Sequence, residues 1–228
     1  MKQYIKTSSA ILFFLFLLAG SIKAQVISTF TTVYQTTQKG GIVYLANTAL
    51  GCSQNPPSVA ASATCAAGTT VMPPAGVLQD NNFPAVFVDI DGDASTFMSS
   101  SDSLALPPCS QITKAYLFWG ASGATTPSFT TCKMKVNSRS YQTITAAASQ
   151  TNSTGFNTYH CYADVTSLLQ SGGINCRVTV ANINSDQIGI TNRFGSWCIA
   201  VVYKNDLKTM RQLTILKGWQ TYQVQQPA

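Results

Sequence analysis

The sequence predicts an all-β protein, a two-sheet β-sandwich of jelly-roll-like kind with long loops and at most one short helix. Three observations lead there. The 228-residue chain has no Glu, and each of its eight acidic residues is an Asp. Exposed helix faces recruit Glu, Lys and Leu, whereas the Thr, Val, Ile, Tyr and Phe of this chain suit a pleated surface. Short runs with two-residue alternation recur between segments rich in turn formers, the spacing expected of a sandwich rather than of alternating β and α units.

The predicted strands are 27–34, 41–46, 85–90, 112–119, 131–136, 141–146, 156–162, 176–181, 197–203 and 212–216. In 112–119, Ala115, Leu117 and Trp119 share one face, and Lys114, Tyr116 and Phe118 share the other, with the lysine marking its wetter end. In 176–181, Val178 and Val180 oppose Arg177 and Thr179. The run 197–203 (WCIAVVY) is apolar throughout, as a central strand covered on both faces would be. One helical signal is present, 164–170 (DVTSLLQ), where Asp164 is placed to cap a turn or two before Ser171, Gly172 and Gly173 stop it. The stretches 47–82 and 145–154 read as loops.

The N-terminal 24 residues stand apart from this pattern. Lys2 and Lys6 precede the apolar stretch 11–19, and Ala24 before Gln25 offers a cleavage point, the layout of a secretory signal peptide. The stretch is about half the ~20 apolar residues that a spanning helix needs, so a transmembrane anchor is not predicted. The expected domain plan is therefore a signal peptide over 1–24 and a single β-sandwich domain over 25–228, outside the cytoplasm. Removing Lys2, Lys6 and Lys23 leaves eleven basic residues against eight acidic ones, a net charge of about +3 with no Lys/Arg run. That excludes the electrostatic footprint of a nucleic-acid binder.

All seven cysteines lie in the exported portion, where disulfides are stable. An odd number leaves at least one without a partner in the chain. Cys52 and Cys65 form the most natural local pair, a staple on the proline-bearing loop, and the remaining connectivity stays open. Cys198, inside an apolar run, reads as a small buried hydrophobe. With no CxxC pair and His160 the one histidine, a zinc site is disfavoured.

The sharpest chemical motif is VDIDGDAS, which sets Asp89, Asp91 and Asp93 at alternating positions around Gly92. Hard cations such as calcium take several oxygen ligands, and carboxylates alternating about a glycine turn can converge on one ion. An EF-hand would need a Glu at its twelfth position, where this chain has Ser100. The alternative is an Asp-Gly turn at a strand end, held by the aspartates' own bonds to backbone. No catalytic set is predicted: His160 sits in an alternating run, and no phosphate-binding glycine motif occurs.

Four blocks together carry a resemblance. They are 87–121 (FVDIDGDASTFMSSSDSLALPPCSQITKAYLFWGA), 162–173 (YADVTSLLQSGG), 178–183 (VTVANI), and FGSWCIAVVYKN with RQLTILKGW at 194–205 and 211–219. In order and spacing they resemble the N-terminal β domain of large adhesin-like secreted surface proteins of Bacteroidetes and Gram-positive bacteria, over a range from about Tyr44 to the C-terminus. The resemblance implies an extracellular β fold without an established active site, followed in longer chains by further strands, repeated modules and a sorting signal. It therefore also implies a domain truncated at its C-terminal end. The expected function is a non-enzymatic secreted or cell-surface module, structural or adhesive, with a glycan or protein ligand. A calcium-dependent carbohydrate-binding module using the three aspartates and exposed aromatics is the alternative, and a secreted hydrolase the third reading.

Overall fold

The computed structural model describes residues 22–52, 85–123, 127–153, 157–185 and 193–224. The Cys52–Cys65 pair and the signal segment 1–21 lie outside the described residues. Twelve strands are present among them: β1 Ile22–Thr48, β2 Leu50–Cys52, β3 Ala85–Phe87, β4 Ser99–Ala105, β5 Gln111–Ser122, β6 Thr131–Val136, β7 Gln142–Thr145, β8 Ala148–Asn152, β9 Thr158–Asp164, β10 Asn175–Ala181, β11 Gly195–Lys204 and β12 Met210–Val224. Among the described residues the helical pieces are a 3-10 turn over Pro127–Thr130 and a five-residue helix α1, Thr166–Gln170.

The protein is all-β and sandwich-like. One sheet runs β12-β1-β11-β5-β9-β8, a second runs β4-β10-β6-β7, and β2 pairs with β3. Alternation explains the interior: Ala115, Leu117 and Trp119 of β5 join Trp197, Ile199 and Val201 of β11 on one side. Met134 and Val136 of β6 join Val178 and Val180 of β10 on the other, in one buried cluster. Each large side chain sealed there contributes about 1.5–3 kcal/mol relative to exposure. The two indoles also find acceptors, with Trp197 Nε1 donating to Ser100 Oγ at 2.8 Å and Trp119 Nε1 to the Phe129 carbonyl at 3.1 Å. The predicted central strand is central, since β11 lies between β1 and β5 and its outward-facing Ala200 and Val202 are buried as well.

Five expectations need correction, the first being the predicted loop 47–82, which opens with the end of β1 and with β2. The segments 27–34 and 41–46 are one continuous strand, because Gly40 extends (φ 147°) against β11 instead of turning. The polar segment 145–154 contains β8, an edge strand paired to β9. In α1 the N-cap is Val165, with Asp164 one residue earlier. Its carboxylate still accepts from the Thr166 amide at 2.9 Å while pairing with Lys114 at 2.6 Å. Cys198 is half-buried rather than buried, since it faces outward beside Phe118 of β5.

The chain forms two compact units. Residues 35–213 hold the core described above. In the smaller unit, whose described residues are 22–34 and 214–224, the Phe30 ring packs on Gly218, where an added Cβ would come within 2.6 Å of it.

Candidate functional site: the aspartate loop over the second sheet

The loop between β3 and β4 carries the predicted acidic motif. Asp89 forms a lone parallel bridge with Ser99, and Gly92, at φ 57°, provides the left-handed turn between Asp91 and Asp93. Alternation along β6 (TCKMKV) buries Cys132, Met134 and Val136 and leaves Lys133 and Lys135 on the outer face of the second sheet. The loop is tied down onto those two lysines.

Asp91 is the hub. Its Oδ2 accepts from Lys135 Nζ at 2.5 Å and from the Tyr141 hydroxyl at 2.7 Å, and its Oδ1 lies 2.9 Å from Ser99 Oγ. The Ser99 hydroxyl also meets Asp89 Oδ1 at 2.7 Å, so one proton serves two carboxylates. The Lys135 ammonium sits 4.2 Å from the centroid of the Tyr141 ring, a cation–π contact that adds to the ion pair. Although Asp91 lies at the surface as a residue, its side chain is only 20 % exposed and that of Lys135 18 %. Asp93 turns away, with its Oδ1 accepting from the Ser95 amide at 2.9 Å in an Asx turn. Further along, Lys133 Nζ donates to the Ser95 carbonyl at 2.7 Å and the Phe97 amide to Asn182 Oδ1 at 3.0 Å.

The three predicted residues therefore do different jobs. Asp89 and Asp91 are brought together through Ser99, while Asp93 caps its own turn. Among the described residues no three His, Cys, Asp or Glu side chains converge as a metal site. The cationic partner of Asp91 in this arrangement is Lys135. Lys135, Tyr141 and Ser99 were not anticipated from the sequence, and the two-residue alternation of KMKV is the one signal that could have offered Lys135.

Burial alone would push the Asp91 carboxyl up. The bonds from Lys135, Tyr141 and Ser99 outweigh it and hold the group well below the usual carboxylate range. Burial and the bond to Asp91 push the Tyr141 hydroxyl far up, keeping it a donor. A carboxyl depressed in the folded state contributes stability that is present above its ordinary value of 3.8 and is lost as the pH falls below it. Thermal unfolding midpoints of the wild type should accordingly drop between neutral pH and pH ~2 more steeply than those of Asp91→Asn. Equal slopes would show that the carboxylate is not held by these bonds.

The remaining candidates also have structural places. His160 stacks on Phe118, with centroids 5.9 Å apart, within a row that continues to Tyr162. Cys132, Cys161 and Cys176 are buried thiols, and burial pushes that of Cys161 up to about 12. Cys109, by contrast, is exposed in a turn at φ 64°. Brief maleimide labelling followed by peptide mapping should modify Cys109 first, with Cys132 and Cys161 modified only after denaturation. Equal labelling of all three would contradict the core described above.

No family model, curated protein or solved structure matches the chain.

Proposed function

We propose that the protein is an exported, non-enzymatic module of the bacterial surface, structural or adhesive in role. The observation that carries this reading is that the residues with the best claim to chemistry are engaged in holding the scaffold. Asp91 is closed on Lys135 and Tyr141, Asp164 on Lys114, and His160 lies stacked on Phe118. A general acid or base must instead reach a substrate proton from a cleft. The N-terminal charge and hydropathy pattern supports export. The test is to express the chain with its own leader and fractionate the cells. A processed product outside the cytoplasm whose mass begins at Gln25 supports the reading, and an unprocessed cytosolic product overturns it.

A glycan-binding role draws on a different observation. A cleft of about 260 Å³ beside the aspartate loop is lined by Phe97, Ser128, Lys133, Thr143, Asn182 and Asn184. An aromatic ring, 46 % exposed, beside amides and hydroxyls is the equipment that stacks and hydrogen-bonds a sugar. Retention on a glycan array that Phe97→Ala abolishes would favour the adhesive form of the proposal. No retention of the wild type would leave the structural form standing alone.

A further inference from the structure

We infer that the turn between β11 and β12 is a membrane-contacting tip for an anionic, phosphate-bearing lipid surface. Leu207 is 84 % exposed and Met210 61 %. Turns normally recruit Gly, Asn, Asp or Ser because those residues supply the required backbone geometry and local bonds, and a leucine supplies neither.

The outward pose of this leucine is built into the fold. Asn205, 2 % exposed, accepts the Leu207 amide on Oδ1 at 2.9 Å and the Lys208 amide on its carbonyl at 3.0 Å. Its Nδ2 donates to the Pro108 carbonyl at 3.0 Å and to Ser110 Oγ at 2.9 Å, and its own amide donates to the Lys39 carbonyl at 2.9 Å. The turn is thus bolted to the β4–β5 loop and to β1, and Leu207 projects from a fixed base.

Lys204, Lys208 and Arg211 lie in and beside the turn in sequence and Lys39 reaches it from β1, with Asp206 as the one acid between positions 204 and 211. Lys204 lies 3.7 Å from the Asp206 carboxylate, and Lys39 Nζ donates to the Asp206 carbonyl. Both contacts are exposed and leave the cationic excess in place. An apolar point with a local excess of cations matches a bilayer interface: the apolar chains enter the headgroup boundary while Lys and Arg stems lie along it and reach phosphates. An acidic protein partner fits less well, since the centre of a protein interface is a contiguous patch depleted of Lys. The inference is independent of the adhesive reading and uses export only to bring the protein to the envelope.

The test is co-sedimentation of the purified protein with vesicles of phosphatidylcholine alone and with one third phosphatidylglycerol. Binding should need the anionic lipid and be released by salt. Each of Lys204→Glu and Lys208→Glu should weaken it about fivefold or more. Leu207→Ser combined with Met210→Ser should weaken it about tenfold or more without moving the unfolding midpoint. In Leu207→Trp, the emission added by the new indole should shift to the blue on vesicles and be quenched by brominated acyl chains. These variants share the wild-type N-terminus, so a retained leader cannot produce the differences. Equal binding by the double-serine variant, or added indole emission in Leu207→Trp that the brominated chains leave unquenched, overturns the proposal. So does retention on polyglutamate beads, insensitive to the serine changes, in place of vesicle binding.

Discussion

Replacing Trp197 by Ala should lower the unfolding free energy by about 3–5 kcal/mol, the range for deleting a large buried side chain. Trp197 is 1 % exposed on the central strand and reaches from the six-stranded sheet to Ser100 on β4 of the other. The substitution opens a cavity between the sheets and removes an indole donor at the same point. Trp197→Phe separates the two effects, since it fills most of the space but loses the bond, which should cost about 1–2 kcal/mol. Denaturant unfolding followed by circular dichroism measures both. A loss under ~1 kcal/mol for the alanine variant would mean that the two sheets do not close over this residue.

The second large effect is expected at Gly40. Its φ of 147° is one that side-chain-bearing residues rarely adopt, and a Cβ there would lie 1.9 Å from the Tyr203 carbonyl oxygen, a backbone atom that cannot rotate aside. Gly40→Ala should therefore cost about 3 kcal/mol or more, by forcing β1 and β11 apart where they pair. Gly41→Ala is the control, because the atoms nearest its Cβ would be those of the Tyr203 side chain, at 3.0–3.3 Å, and no backbone atom comes nearer. Unfolding midpoints should fall far more for Gly40→Ala, and equal shifts would contradict the close approach at Gly40.

The strands that the sequence made legible are those whose inward side is apolar. In β5, β10 and β11 the alternation or the unbroken apolar run survives into the core almost residue for residue. β4 escaped because its sequence, SSSDSLA, shows no alternating apolar side. Its buried residues include Ser99 and Ser100, and their hydroxyls serve the aspartate loop and Trp197, partners supplied only by the tertiary fold. β8 was hidden for a similar reason: as a polar edge strand it is fixed by pairing to β9 rather than by a dry face of its own.

The candidate site shows the same division. Three aspartates around a glycine are visible in eight consecutive residues. Lys135 and Tyr141 lie 44 and 50 residues further on, and nothing local announces that they will meet Asp91. A motif read alone suggests convergence on an ion, whereas the fold supplies an ammonium and a phenol. Asp93 fell outside the cluster because an Asx turn to Ser95 satisfies it within its own loop.

A double-mutant cycle of Asp91→Asn and Lys135→Met, read by thermal unfolding with and without millimolar calcium, tests most directly whether the aspartate loop is a clasp of the scaffold. The clasp predicts a coupling of about 1 kcal/mol between the two side chains and a wild-type midpoint that calcium leaves in place. Additive single effects together with a midpoint raised several degrees by calcium would contradict it, and would assign the aspartates to a metal.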